Sequence, residues 1–134
     1  MIAVLISFVL ILVIDIVWIG MIMASFYIDR LGDLGRLVDG KFEPLLIPAA
    51  VVYLLLSVGI SYFALRPAGE PVGTIFFRGA LLGLVIYGTY DMTNMATLSR
   101  WPISLAVVDM AWGSLLCGSV AVITHWVTTK FGWS

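Results

Sequence analysis

The sequence predicts an all-α membrane protein: four transmembrane helices in an antiparallel bundle, with a short amphipathic interfacial segment after helix one. Three observations predict it. Of 134 residues, 62% are hydrophobic and only 11% charged, whereas soluble domains average roughly 45–50% and 25%. Apolar runs at 2–26, 45–65, 74–98 and 103–128 each exceed the roughly 20 residues needed to cross a hydrocarbon core. Turn chemistry falls between these runs. With a mean hydropathy of +1.12, the chain reads as one four-helix transmembrane domain over 1–134.

The first run lacks a basic leading stretch and a small-residue cleavage site, and Asp15 interrupts it. It therefore reads as a retained helix, not a cleaved signal. Beyond it, Leu31, Leu34, Val38 and Phe42 recur at helical spacing, with Asp29, Arg30, Asp33, Arg36 and Asp39 on other faces. Gly32, Gly35 and Gly40 weaken any such helix by up to about 1 kcal/mol each. The segment is either an amphipathic stretch at the headgroups or a solvated loop. Arg66-Pro67-Ala68-Gly69-Glu70-Pro71 ends the second run. The turn Ser99-Arg100-Trp101-Pro102 is short enough to make the last two helices antiparallel neighbours. Gly79 and Gly83 form a GxxxG pair, which permits close helix contact, within the chain in preference to a dimer.

Four spans put both termini and the 66–73 loop on one membrane face, and the 27–43 segment and the Arg100-Trp101 turn on the other. Arg30, Arg36, Lys41 and Arg100 on one side balance Arg66, Arg78, Lys130 and the terminal amine on the other. The positive-inside rule does not separate the two. Acidic neighbours dilute the charge of 27–43, so the termini are read as cytoplasmic.

Asp15, Asp91 and Asp109 each lie inside an apolar run. A lipid-facing aspartate costs roughly 2.5–3.5 kcal/mol, and three cost on the order of 8–10. They must face one another or a shared polar interior. Asp91 precedes the end of its run by about 10 Å of helix, Asp109 follows the start of its run by about 9 Å, and Asp15 lies about 16 Å from that same face. All three therefore fit one half of the bundle, beside the Arg100-Trp101 turn. Tyr87, Tyr90, Asp91 and Asn94 form one stripe; Asp15 shares a face with Trp18, and Asp109 with Trp112. No Lys or Arg sits at matching depth. The acids are then protonated, satisfied by donors or waiting for a cation. As a purely structural device they clamp the bundle; as a functional one they hold a ligand, proton or ion. Val13-Ile14-Asp15-Ile16-Val17-Trp18 also lines up with Val107-Val108-Asp109-Met110-Ala111-Trp112, a weak pattern of the kind left by inverted repeats.

Other chemistry is thin. No basic block suggests nucleic acid, and Cys117 has no partner for a disulfide. His125 stands alone, with no HExxH, so zinc and haem sites are disfavoured. Neither a phosphate-cradling glycine loop nor a nucleophile elbow is present. Trp101, Trp126 and Trp133 read as interfacial anchors. No metal ligand and no catalytic residue is assigned, and the cofactor, if any, is unknown.

The run Tyr87-Gly88-Thr89-Tyr90-Asp91-Met92-Thr93-Asn94-Met95-Ala96-Thr97-Leu98, then Trp101-Pro102 and Val108-Asp109-Met110-Ala111-Trp112-Gly113, resembles the signature of a small bacterial membrane-protein family. It is catalogued as domain of unknown function 2177. The resemblance extends to Asp15-Ile16-Val17-Trp18-Ile19-Gly20, Phe26-Tyr27 and Tyr53-Leu54-Leu55, while Lys41-Phe42-Glu43-Pro44 departs from the family's Asn-Trp-like entry to helix two. It implies a four-helix protein of the bacterial inner membrane and brings no activity with it.

Three functions compete. The first is a non-enzymatic membrane protein whose pocket of Asp15, Asp91, Asp109, Tyr87, Tyr90, Asn94, Trp18 and Trp112 binds a small or lipid-like ligand or relays protons. The second is an accessory subunit of a larger respiratory or photosynthetic complex, its acids touching a partner helix, pigment or quinone. The third, a lipid-modifying enzyme, has least support because no nucleophile or metal accompanies the acids. The expected partners are the lipid bilayer and either a membrane protein or a second copy of the chain, with no nucleic acid.

Overall fold

The structure, a computed structural model, describes residues 1–133. Helix α1 (Ile2–Val17) runs into one wide π turn, Trp18–Ile22, closed by the Met23 N–H donating to the Trp18 carbonyl at 2.7 Å. A short helix α2 (Ala24–Leu31) follows, then a 3-10 turn (Gly32–Leu34) and a hairpin of β1 (Leu37–Val38) and β2 (Lys41–Phe42). Three long helical stretches complete the chain: α3 (Leu46–Gly59) with a π turn at Ile60–Ala64, α4 (Val72–Thr97) and α5 (Ile103–Lys130). Four helical segments are long and apolar enough to cross a membrane: Ile2–Ile22, Leu46–Ala64, Val72–Thr97 and Ile103–Lys130. The protein is an all-α membrane bundle. Prolines mark two helix starts, with Pro71 capping α4 and Pro102 capping α5; their fixed φ and missing N–H suit a helix entrance.

Two departures from the sequence reading lie between α1 and α3. The first run does not continue to residue 26, because the backbone leaves helical geometry at Met23 (φ −112°, ψ 13°). The helical pattern of Leu31, Leu34, Val38 and Phe42 is not realised either. Gly32 adopts φ +56° and ends α2, so only Leu31 of that series lies in an α-helix and Leu34 falls in the 3-10 turn. Asp39 and Gly40 both have positive φ, and Leu37 faces Phe42 while Val38 faces Lys41. Asp-Gly is the strongest short-range signal for such a two-residue hairpin, and it overrides the weak apolar periodicity.

Helix α5 is the hub, with Leu105, Ala106, Asp109, Gly113, Leu116, Cys117, Val120 and Ala121 all buried. Its contact with α4 depends on glycine. A Cβ on Gly79 would lie 2.6 Å from the Cys117 carbonyl oxygen, and one on Gly83 would run into the Gly113 carbonyl. The GxxxG pair therefore serves contact within the chain, bringing two backbones close enough for dispersion and Cα–H contacts to hold them. Ile11, Leu56, Ile60, Leu116 and Val120 fill the centre. A buried Ser7–Thr124 hydroxyl pair at 3.0 Å ties α1 to α5.

Candidate functional site

Chain direction brings three carboxyls to one end. Helix α1 approaches the end that carries α2 and the hairpin, α4 ends there and α5 starts there. Asp15, Asp91 and Asp109 accordingly collect in that half, all three buried. Depth arithmetic on the sequence leads to the same grouping, because 1.5 Å per residue holds along any straight helix.

The donors around them form a chain of contacts. The Tyr53 hydroxyl of α3 donates to Asp15 Oδ2 at 2.9 Å, and the Trp112 indole N–H of α5 donates to Asp15 Oδ1 at 2.9 Å. Trp112 lies flat on Trp18, centroids 4.1 Å apart and planes at 4°. The Trp18 N–H reaches the Tyr27 hydroxyl at 3.4 Å, and that hydroxyl donates to Asp109 Oδ1 at 3.0 Å. Burial, then the neighbouring Asp109 carboxyl, pushes the Tyr27 phenol up, so it stays neutral and keeps its proton for donation. On α4, Asp91 Oδ1 accepts from the Trp101 N–H at 3.2 Å. The Asp91 and Asp109 carboxyls are neighbours. Asp91 Oδ2, in a residue with 0% exposure, nevertheless has no donor among the described residues.

Two of these helices interlock through one local motif. Asp15 of α1 and Trp18 of the π turn that continues it are three residues apart, as Asp109 and Trp112 are on α5, and the two helical segments run antiparallel. Each indole therefore reaches toward the other helix's carboxyl, Trp112 directly and Trp18 through Tyr27. The aligned segments 13–18 and 107–112 meet across the Trp18–Trp112 stack.

The expected site residues divide. Asp15, Asp91, Asp109, Trp18 and Trp112 belong to the network. Tyr87 borders it: its ring fills the space that a Gly113 side chain would occupy, so its burial is a packing requirement first. Tyr90 is 55% exposed and sets its ring edge-on to Trp101, centroids 5.8 Å apart. Asn94 neighbours Tyr90, and no hydrogen bond among the described residues joins it to an aspartate. One stripe on a helix is wider than the network it serves. Three members escaped the sequence reading. Tyr27 and Tyr53 sit on other helices, where only their phenol chemistry pointed to them. Trp101, read as an interfacial anchor, instead turns its N–H to Asp91.

Beside the network lies a cavity of about 460 Å³, within the usual range of ligand pockets. Ile19, Leu31, Phe42, Val52, Leu56, Ile86 and Leu105 form its apolar wall; Tyr27, Tyr87, Tyr90, Trp101 and Asp109 also line it. Phe42 comes from the hairpin and Leu31 from the end of α2, so the interfacial segment roofs the cavity. Arg100 fastens that roof through the Asp33 carboxylate and the Leu31 carbonyl, the latter at 3.2 Å. No group of three His, Cys, Asp or Glu side chains among the described residues converges as a metal site. Asp15 is held by Tyr53 and Trp112, Asp109 by Tyr27 and Asp91 by Trp101.

A family model for predicted membrane proteins, DUF2177, matches residues 1–126. The chain belongs to the DUF2177 family. No curated protein matches it, and no solved structure does. Membership covers all the residues of the carboxyl network and the cavity, so the site is part of the family's own stretch of chain and not an appendage to it.

Proposed function

We propose that this protein is a binding protein of the bacterial inner membrane, its termini cytoplasmic, whose cavity takes a small or lipid-like ligand. The ligand's apolar body lies along Ile19, Val52, Leu56 and Ile86, and its polar end meets Asp109 and Tyr27. One observation carries this reading: a mainly apolar cavity of about 460 Å³ with a buried carboxyl and phenol in its lining. A clamp alone needs its carboxyls satisfied, as Asp15 is, and has no use for an adjoining cavity or for an orphan oxygen on Asp91.

The test is native mass spectrometry of gently solubilised protein. Val52 is half exposed at the cavity wall, so Val52→Trp fills the space without entering the core. The wild type retains a bound molecule and the variant loses it while unfolding at the same temperature. Equal occupancy in both would dismiss the cavity as the binding site. Proton relay is the second reading, favoured by the neighbouring Asp91 and Asp109 carboxyls. In vesicles reporting internal pH, Asp91→Asn abolishes any proton flux the wild type shows; unchanged flux rejects the relay.

A further inference from the structure

The cavity's chemistry is one-sided. Among the described residues its only formally charged lining residue is Asp109, and no Lys, Arg or His lines it. Arg100, the nearest base in sequence to the cavity's Trp101, is engaged outside the lining by Asp33 and Leu31. An anionic head such as a fatty carboxylate or a phosphate would meet a carboxyl and no cation. The stronger donors next to Asp109 are already committed. The Tyr27 hydroxyl donates to Asp109 Oδ1, and the Trp101 N–H donates to Asp91. What the lining lacks is a donor for the rest of the Asp109 carboxyl: among the described residues only Oδ1 receives a hydrogen bond. A group able to serve this carboxyl must carry N–H or O–H bonds and is favoured further by positive charge.

We propose that the ligand is a lipophilic primary amine, an apolar chain or ring system ending in an ammonium group that donates to Asp109 from the cavity. This rests on the binding reading above and names its substrate class. An ammonium has three N–H donors, enough for the Asp109 carboxyl and the neighbouring tyrosine hydroxyls, where an alcohol has one. Its charge is compensated inside the bilayer by the Asp109 carboxyl, the arrangement that makes an intramembrane ion pair tolerable. Chain carbons lie against the Ile19, Leu56 and Ile86 side of the cavity.

The experiment uses the full chain in detergent and three probes with one alkyl chain: dodecylamine, dodecanol and dodecanoate. Trp101 at the cavity and Trp18 beside Tyr27 supply a fluorescence signal. The amine binds about tenfold or more tightly than the alcohol, a factor equal to one charge-assisted hydrogen bond, and the carboxylate binds weakest. Asp109→Asn lowers amine affinity by about tenfold or more and leaves the alcohol's affinity unchanged. Asp109→Ser supplies the same comparison if the first variant does not fold. Alcohol or carboxylate binding as tightly as amine, with Val52→Trp blocking it, overturns the headgroup assignment and leaves the cavity reading standing. No saturable binding of any probe that Val52→Trp abolishes overturns both.

Discussion

Asp15 shows what an intramembrane carboxyl requires: each oxygen has a donor, one from Tyr53 and one from Trp112. Asn in its place keeps both bonds, its carbonyl accepting from the indole and its amide donating to the phenol oxygen. Asp15→Asn therefore unfolds close to the wild-type temperature. Asp15→Ala orphans both donors, at about 1–3 kcal/mol each, and lowers the melting temperature measurably in detergent. Equal melting of the two variants would show that Asp15 carries no structural weight. The glycines make a second contrast. Gly83→Ala drives a methyl into the Gly113 backbone, which cannot yield as a side chain would, and costs about 1–3 kcal/mol. Gly73, in the same helix, has open space around it, so Gly73→Ala leaves thermal stability unchanged or raises it.

At the scale of elements, the α2–hairpin segment is tied to the bundle by Tyr27 at Asp109 and by Arg100 at Leu31 and Asp33. Gly32 ends α2 at φ +56° and ψ −128°, a conformation that costs a side-chain-bearing residue on the order of 1–3 kcal/mol. Gly32→Ala raises amide hydrogen exchange across residues 24–42 more than in α5, and uniform change would contradict a local hinge. The Arg100–Asp33 pair acts on the same segment. The Arg100 guanidinium holds the exposed Asp33 carboxyl below its ordinary range, so the pair is intact above the usual aspartate range and is lost as pH falls through the lowered value. Exchange in 24–42 rises over that fall in the wild type and not in Arg100→Ala, where it is high throughout.

Across the whole molecule, four crossings require the 66–71 connection to share a face with Met1, and the hairpin tip to share the opposite face with the α4–α5 turn. Cationic groups over aromatic rings mark both ends: Lys130 on Trp126 at 4.7 Å and Arg66 on Tyr62 at one, Arg30 on Phe26 at the other. The native Cys117 is fully buried and gives a silent background for labelling. A cysteine at Gly69 reacts with an impermeant thiol reagent from one side of sealed vesicles, and a cysteine at Gly40 reacts from the other. Labelling of both from the same side would overturn the four-crossing topology. The same experiment, on vesicles of known polarity, tests the cytoplasmic assignment of the termini.

Class, span count and the depth of the acids follow from the sequence because hydrocarbon thickness, helical rise and the cost of a bare carboxylate are set by the solvent and the backbone, not by neighbours. Asp15, Asp91 and Asp109 could thus be placed in one half of the bundle before any contact was known. Tertiary structure alone decided which donor serves which oxygen. Trp112 crosses to Asp15, Tyr27 arrives from a short helix whose end depends on Gly32, and Trp101 turns inward from a position that suits an interfacial anchor equally well. Side-chain direction at a helix end or in a turn is set by what packs beside it, and helical period carries no such information. For that reason the stripe reading included Asn94, which bonds to no aspartate, and passed over Tyr53, which does.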